Sequence, residues 1–220
     1  MDGSVLINRV PREIYQERGL AADFLSRMEL DGLLVEEILT CLRSQREGDQ
    51  AVALRFVECL AGRADFVKEA GQKLGAIVAL VRKTLTASEG AVKGNALAAF
   101  ISLRAFYPGY AEEMISLFRS PDLSIRYEVL NQAGTFMTGR YFRDLLVFRD
   151  DQTVSYGGPW GSDQVYIFRD LALRQAELLV GRSFECGRCA ELRGDKKVWW
   201  RSWRQFDMWL ERLTWRLGES

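Results

Sequence analysis

Apolar side chains recur at intervals of three and four along almost the whole chain, in runs of helical length separated by glycine, proline or short polar stretches. Each run therefore carries one apolar face that a lone helix cannot hide from water. Leu33, Leu34, Ile38, Cys41 and Leu42 form the first stripe, broken by Glu37, with Asp31 expected to cap it and Gly48 to stop it. A second helix is expected from about Asp49 to Gly62, with Val52, Phe56, Val57 and Leu60 inward. A third follows Asp65 and carries Val67, Leu74, Ile77, Val78, Val81 and Leu85; a fourth, capped by Ser88, carries Val92, Ala96, Leu97, Phe100, Ile101 and Leu103 up to Pro108-Gly109. Beyond that break come a short helix at Met114 to Phe118 and another opened by Ser120-Pro121, with Pro121 expected in its first turn and Ile125, Val129, Leu130, Ala133 and Phe136 inward. A segment around Phe142, Leu145, Leu146 and Phe148 follows. Residues 150–163 read as a long turn-rich loop, 164–180 as a helix, 181–197 as a second loop, and Val198 to Leu217 as the last helix. Period-two alternation never persists, and no Asn-Gly or Asp-Gly turn separates β-branched runs, so an all-α chain is expected.

The runs also repeat. An acidic or polar residue is followed at offsets of three, seven, eight and eleven by apolar residues, with a basic residue at four. Asp122, Ile125, Arg126, Val129, Leu130 and Ala133 fit this pattern, as do Glu89, Val92, Lys93, Ala96, Leu97 and Phe100. Asp49, Val52, Phe56, Val57 and Leu60 fit with Ala53 at the basic position, and Phe168, Arg169, Ala172, Leu173 and Ala176 fit with Val165 at the first. The copies start 40, 33 and 43 residues apart, within the range of helix-pair repeats. The run Asp-Leu-Ser-Ile-Arg-Tyr-Glu-Val-Leu at 122–130 resembles the second helix of a HEAT repeat, and so does Ile-Phe-Arg-Asp-Leu-Ala-Leu-Arg-Gln-Ala-Glu-Leu-Leu at 167–179. The resemblance covers roughly residues 31–180. It implies a single domain built as an α-solenoid of stacked antiparallel helical hairpins, with residues 1–30 as an N-terminal cap and 181–220 as a loop and a Trp-rich capping helix. It further implies that Asp122, Lys93, Arg126 and Arg169 form a structural ladder between neighbouring repeats. A compact helical bundle is the competing architecture.

Composition narrows the chemistry. The chain has no histidine, which removes Ser-His-Asp and Cys-His catalysis and histidine-based zinc sites. The metal-binding HEAT-repeat deoxyhypusine hydroxylases are matched in architecture only, since their histidine ligands have no counterpart here. Basic and acidic residues balance at 30 each, against the basic excess that a duplex-binding domain carries. Four cysteines in 220 residues do not make a disulfide framework. The first residues lack the charged-then-apolar pattern of a signal peptide and no window is apolar enough to span a membrane, so a cytoplasmic protein without a leader is expected. No cofactor, metal or catalytic residue is expected.

The residues left over suit contact with a partner. Tyr156-Gly-Gly-Pro-Trp160-Gly sets two aromatics in the long loop, and it is no phosphate loop because no Lys-Ser/Thr follows. Partner contact and packing of Trp160 on the helices are the two readings there. Arg182, Arg188, Arg193, Lys196, Lys197, Arg201 and Arg204 form a local basic run beside aromatics, which is either a solvated segment or a grip on phosphates and bases. On the last helix, Trp199, Trp203, Phe206, Leu210, Leu213 and Leu217 share a core stripe, flanked by Trp200 and Trp209, while Trp215 points away and is either a binding anchor or the folded-back end of the helix. Cys186 and Cys189 make a lone CxxC, read as incidental thiols ahead of half a zinc site or a redox pair. The expected function is a non-enzymatic protein-binding scaffold, an adaptor or a bacterial toxin-neutralising immunity protein. The candidate contacts are Tyr156, Trp160, Arg193, Lys196, Lys197 and Trp215. The alternative is a nucleic-acid-binding protein akin to the HEAT-like alkylpurine DNA glycosylases.

Overall fold

The computed structural model describes Leu6, Arg9 and residues 18–156, 165–181 and 196–217, with backbone alone for 18–21, 139–140, 155–156, 165–166, 196–201 and 213–217. It is almost wholly helical, and no described helix is long and apolar enough to cross a membrane. The chain divides into two compact units, Met1–Pro108 and Gly109–Ser220.

The first unit contains α1 (Arg18–Arg27), α2 (Leu34–Arg43), α3 (Glu47–Leu60), α4 (Ala64–Ala70), α5 (Leu74–Ala87) and α6 (Gly90–Ser102). Helices α2 and α3 pack as one pair and α5 and α6 as another. The pairs then stack like on like, α2 against α5 and α3 against α6. This buries what each pair alone would expose. Two arginines tie down the N-terminal region. Arg63 Nη1 donates to the carbonyls of Leu25, Ser26 and Met28 at 3.2, 3.1 and 2.7 Å, satisfying acceptors at the end of α1, while its other nitrogens hold Asp65. Arg9 bridges Asp31 and Glu37.

The second unit contains α7 (Tyr110–Ser116), α8 (Leu123–Asn131), a 3-10 helix at Gly139–Phe148, strands β1 (Val154–Tyr156) and β2 (Val165–Ile167), α9 (Phe168–Val180) and α10 (Lys196–Leu217). A 3-10 turn at Leu117–Arg119 extends α7 and packs on α8; the Gly139–Phe148 segment packs on α9; and α8 packs on α9. Ring contacts knit its core: Phe118 lies 5.1 Å and Phe168 6.1 Å from Phe148, and Trp203, Phe206 and Trp209 pack in sequence along α10, with Trp209 reaching Phe142 at 5.7 Å. Trp203, Phe206 and Leu210 are buried, as the stripe on the last helix requires, and Trp209 is half-buried on its flank.

Every apolar position in all four copies of the repeat pattern is buried. The most exposed of them, Val92, shows only 6% of its surface. The basic position behaves differently: Ala53 is fully buried in the first copy, whereas Lys93, Arg126 and Arg169 are half-buried.

The structure corrects several local expectations. Asp31 does cap α2, its Oδ1 accepting from the amides of Leu33 and Leu34, but Leu33 is exposed and Val35 and Leu39 join the buried face instead. Gly48 stops nothing; α2 ends at Ser44, whose backbone turns extended, and Gly48 lies in the first turn of α3. The third expected helix is broken in two. Gly71 takes φ +47°, a left-handed conformation that only glycine adopts cheaply, so α4 ends there and α5 restarts at Leu74, with Phe66 rather than Val67 buried. Pro121 stands one residue before the cap of α8, not in its first turn; Asp122 is the cap, accepting from Ser124 and Ile125. The long loop and the start of the helix expected at 164 contain an antiparallel ribbon, so the chain is not free of strand. Its strands are three residues each, too short for alternation to register.

Candidate functional site

The base of the ribbon adjoins one half-buried ion pair, Arg126–Asp151. Val154 pairs with Ile167, Ser155 with Tyr166 and Tyr156 with Val165, so the segment 157–164 joins two strands whose ends are held at ladder spacing. Below the ladder, the Phe168 amide donates to the Thr153 carbonyl at 3.2 Å and the Arg169 amide to the Asp151 carbonyl at 3.2 Å, which fastens the outgoing helix α9 to the incoming strand. Asp151 turns the chain: its amide donates to the Phe148 carbonyl, and its Oδ1 accepts from the Thr153 amide at 2.9 Å.

The other carboxylate oxygen of Asp151 takes the guanidinium of Arg126, from the facing side of α8. That guanidinium lies over the ring of Phe168 at 4.3 Å and over Phe148 at 5.4 Å, and the two rings are nearly parallel at 13°. The charge is thus covered by aromatic faces and neutralised by a single carboxylate. Burial pulls the Arg126 guanidinium below its ordinary value, and its Nε is buried without a partner among the described residues. A guanidinium remains protonated even so, and the pair persists as a salt bridge. Burial also pushes the neighbouring Asp170 carboxyl up, against the opposing pull of Arg169 at 3.4 Å.

The structure gives three of the four residues of the expected ladder contacts of their own. Arg126 does not meet an acidic residue of the repeat pattern; it holds Asp151. Asp122 serves as the cap of its own helix, and Arg169 contacts the adjacent Asp170. The adjacent carboxylates Glu36 and Glu37 point to different partners, as the angular step of a helix requires: Glu36 holds Lys73 while Glu37 holds Arg9. Of the six expected contact residues, Tyr156 closes β1. Lys196, Lys197 and Trp215 belong to the backbone of α10. Trp160 and Arg193 lie outside the described residues, as do Cys186 and Cys189. No group of acidic and cysteine side chains that could hold a metal occurs among the described residues. Asp151 was missed by sequence reasoning because it sits in what reads as a turn, and its partner Arg126 lies 25 residues away in the chain.

Comparison with protein-family models, with curated proteins and with solved structures gives no match.

Proposed function

We propose that this chain is a HEAT-like α-solenoid that works as a non-enzymatic protein-binding scaffold in the cytoplasm, as an adaptor or as an immunity protein that neutralises a toxin by contact. The observation that carries the reading is the burial of every apolar position in the four copies of the repeat pattern, together with the packing of the helices that bear them, α3 on α6 and α8 on α9. Stacked helix pairs of this kind present extended surfaces and projecting loops to partners. The element best suited to the contact is the hairpin at 154–167, because an aromatic-bearing loop gains most when its base is rigid before binding. Arg126, Asp151 and the α9 amides hold the base, and Tyr156 and Trp160 are the aromatics that the sequence sets in the segment it closes.

Affinity capture from the native host, comparing the full chain with a Tyr156→Ala/Trp160→Ala variant, tests this. A single protein retained in stoichiometric amount by the parent and lost by the variant supports the scaffold. Capture indifferent to the variant removes the hairpin from the interface. Salt-sensitive retention on heparin or DNA with no protein partner would favour the nucleic-acid reading instead.

A further inference from the structure

The first unit carries a recess of about 280 Å³ with polar side chains on an otherwise apolar floor, where the last turns of α2 and α5 meet the first turn of α3. Its walls are braced internally: Ser44 Oγ donates to Asp49 at 2.8 Å, Gln50 Nε2 donates to the Ser44 carbonyl at 2.7 Å, and Thr84 Oγ1 donates to the Leu80 carbonyl at 3.0 Å. Two cations also line it, Arg43 and Lys83, both exposed. Elsewhere in the unit Arg9, Arg27, Arg63 and Lys73 each hold a carboxylate. Arg43 and Lys83 form no ion pair with a described residue; Arg43 acts only at range on Glu36, which Lys73 already holds.

We propose that this recess receives a side-chain carboxylate from an acidic segment of the protein partner, an inference that rests on the scaffold reading for the ligand being a protein. Size and charge select the ligand. The volume falls just below the roughly 300–1,000 Å³ typical of sites for cofactors and drug-sized molecules. The carbonyl ends of α2 and α5 each offset about half a unit of positive charge. Asp49 beside the recess offsets more, against the positive end of α3. What remains suits one carboxylate, held by two cations, and falls short of the continuous basic track that a row of phosphates requires. Because the cations are exposed, the contact is weak alone and adds to a larger interface rather than making one.

The test is a calorimetric titration of the full chain with a short capped oligoglutamate peptide at low ionic strength. The expected dissociation constant is on the order of a millimolar. Arg43→Gln and Lys83→Gln are each expected to weaken it about 5-fold, and the two together more than about 10-fold, losses of the size that exposed charge pairs give. The pair Lys68→Gln/Arg104→Gln removes two exposed cations outside the recess and is expected to change nothing. Undiminished binding by the Arg43/Lys83 variant, equal weakening by the control pair, or tighter binding of inorganic phosphate or a single-stranded oligonucleotide through the same two residues would each overturn the proposal. The titration needs no partner, so its failure is distinguishable from failure of the scaffold reading, which partner capture decides.

Discussion

Removal of both members of the Arg126–Asp151 pair should destabilise the second unit by less than the sum of the two single removals. The side chains of Arg126 and Asp151 retain 13% and 15% of their exposure. Breaking a fully buried pair by deleting one charge costs about 3–5 kcal/mol, because the other is left uncompensated. The residual access to water lowers that figure, while Arg126 also loses contacts with two rings, each worth about 0.5–1 kcal/mol. Arg126→Met, which keeps the apolar stem over Phe148 and Phe168, should therefore cost about 2–3 kcal/mol. Asp151→Asn, which keeps an acceptor for the Thr153 amide, should cost about 1–2 kcal/mol. The double variant should recover part of the sum, with a coupling of about 1–2 kcal/mol. Tryptophan fluorescence during urea unfolding measures this without interference, since all six tryptophans follow Pro108 and belong to the second unit. Additivity within about 0.5 kcal/mol would mean that the two residues do not act as a pair and would refute the account of the hairpin base.

Other outcomes follow from particular residues. Arg63→Gln strands the Leu25, Ser26 and Met28 carbonyls and should speed hydrogen exchange in α1 while costing about 1–2 kcal/mol. Gly71→Ala has open space for its methyl group but a backbone at φ +47°, so it should destabilise by about 1 kcal/mol; Gly94→Ala, in the interior of α6 and equally unobstructed, should stabilise by about 0.5–1 kcal/mol, both read by thermal unfolding. The Asp170 carboxyl titrates above its ordinary 3.8 in the folded chain. Stability from this group is thus fully present below that value and is lost as the pH rises through the folded one. Asp170→Asn should then gain on the parent at about pH 7 and lose that advantage at about pH 3 in parallel thermal melts. A gain independent of pH would contradict the assignment.

The helical layout was legible because burial in a helix pair imposes a period that sequence displays directly. The copies starting at Asp49, Glu89, Asp122 and Val165 located the inner helices, and each apolar position of the pattern is buried. The failures are places where a single residue decides. Gly48 and Gly71 look alike in the sequence, yet one sits inside a first turn and the other ends a helix, since backbone conformation depends on where the next apolar face must point. The 3-10 course of Gly139–Phe148 left its apolar spacing readable as α-helix, and the ribbon was too short to alternate. Of the site, the aromatic content of the hairpin was visible, but its anchor was not: Arg126 and Asp151 stand 25 residues apart, and only the fold brings them together.

Hydrogen exchange of the native chain, resolved by residue, tests the stack most directly. The amides of Val52–Leu60, Val92–Phe100, Ile125–Asn131 and Leu171–Ala176 lie in helices whose apolar faces close the cores, and they should exchange only when their whole unit unfolds. Rapid exchange of these four stretches, with protection concentrated instead in α2, α5 and α7, would contradict it.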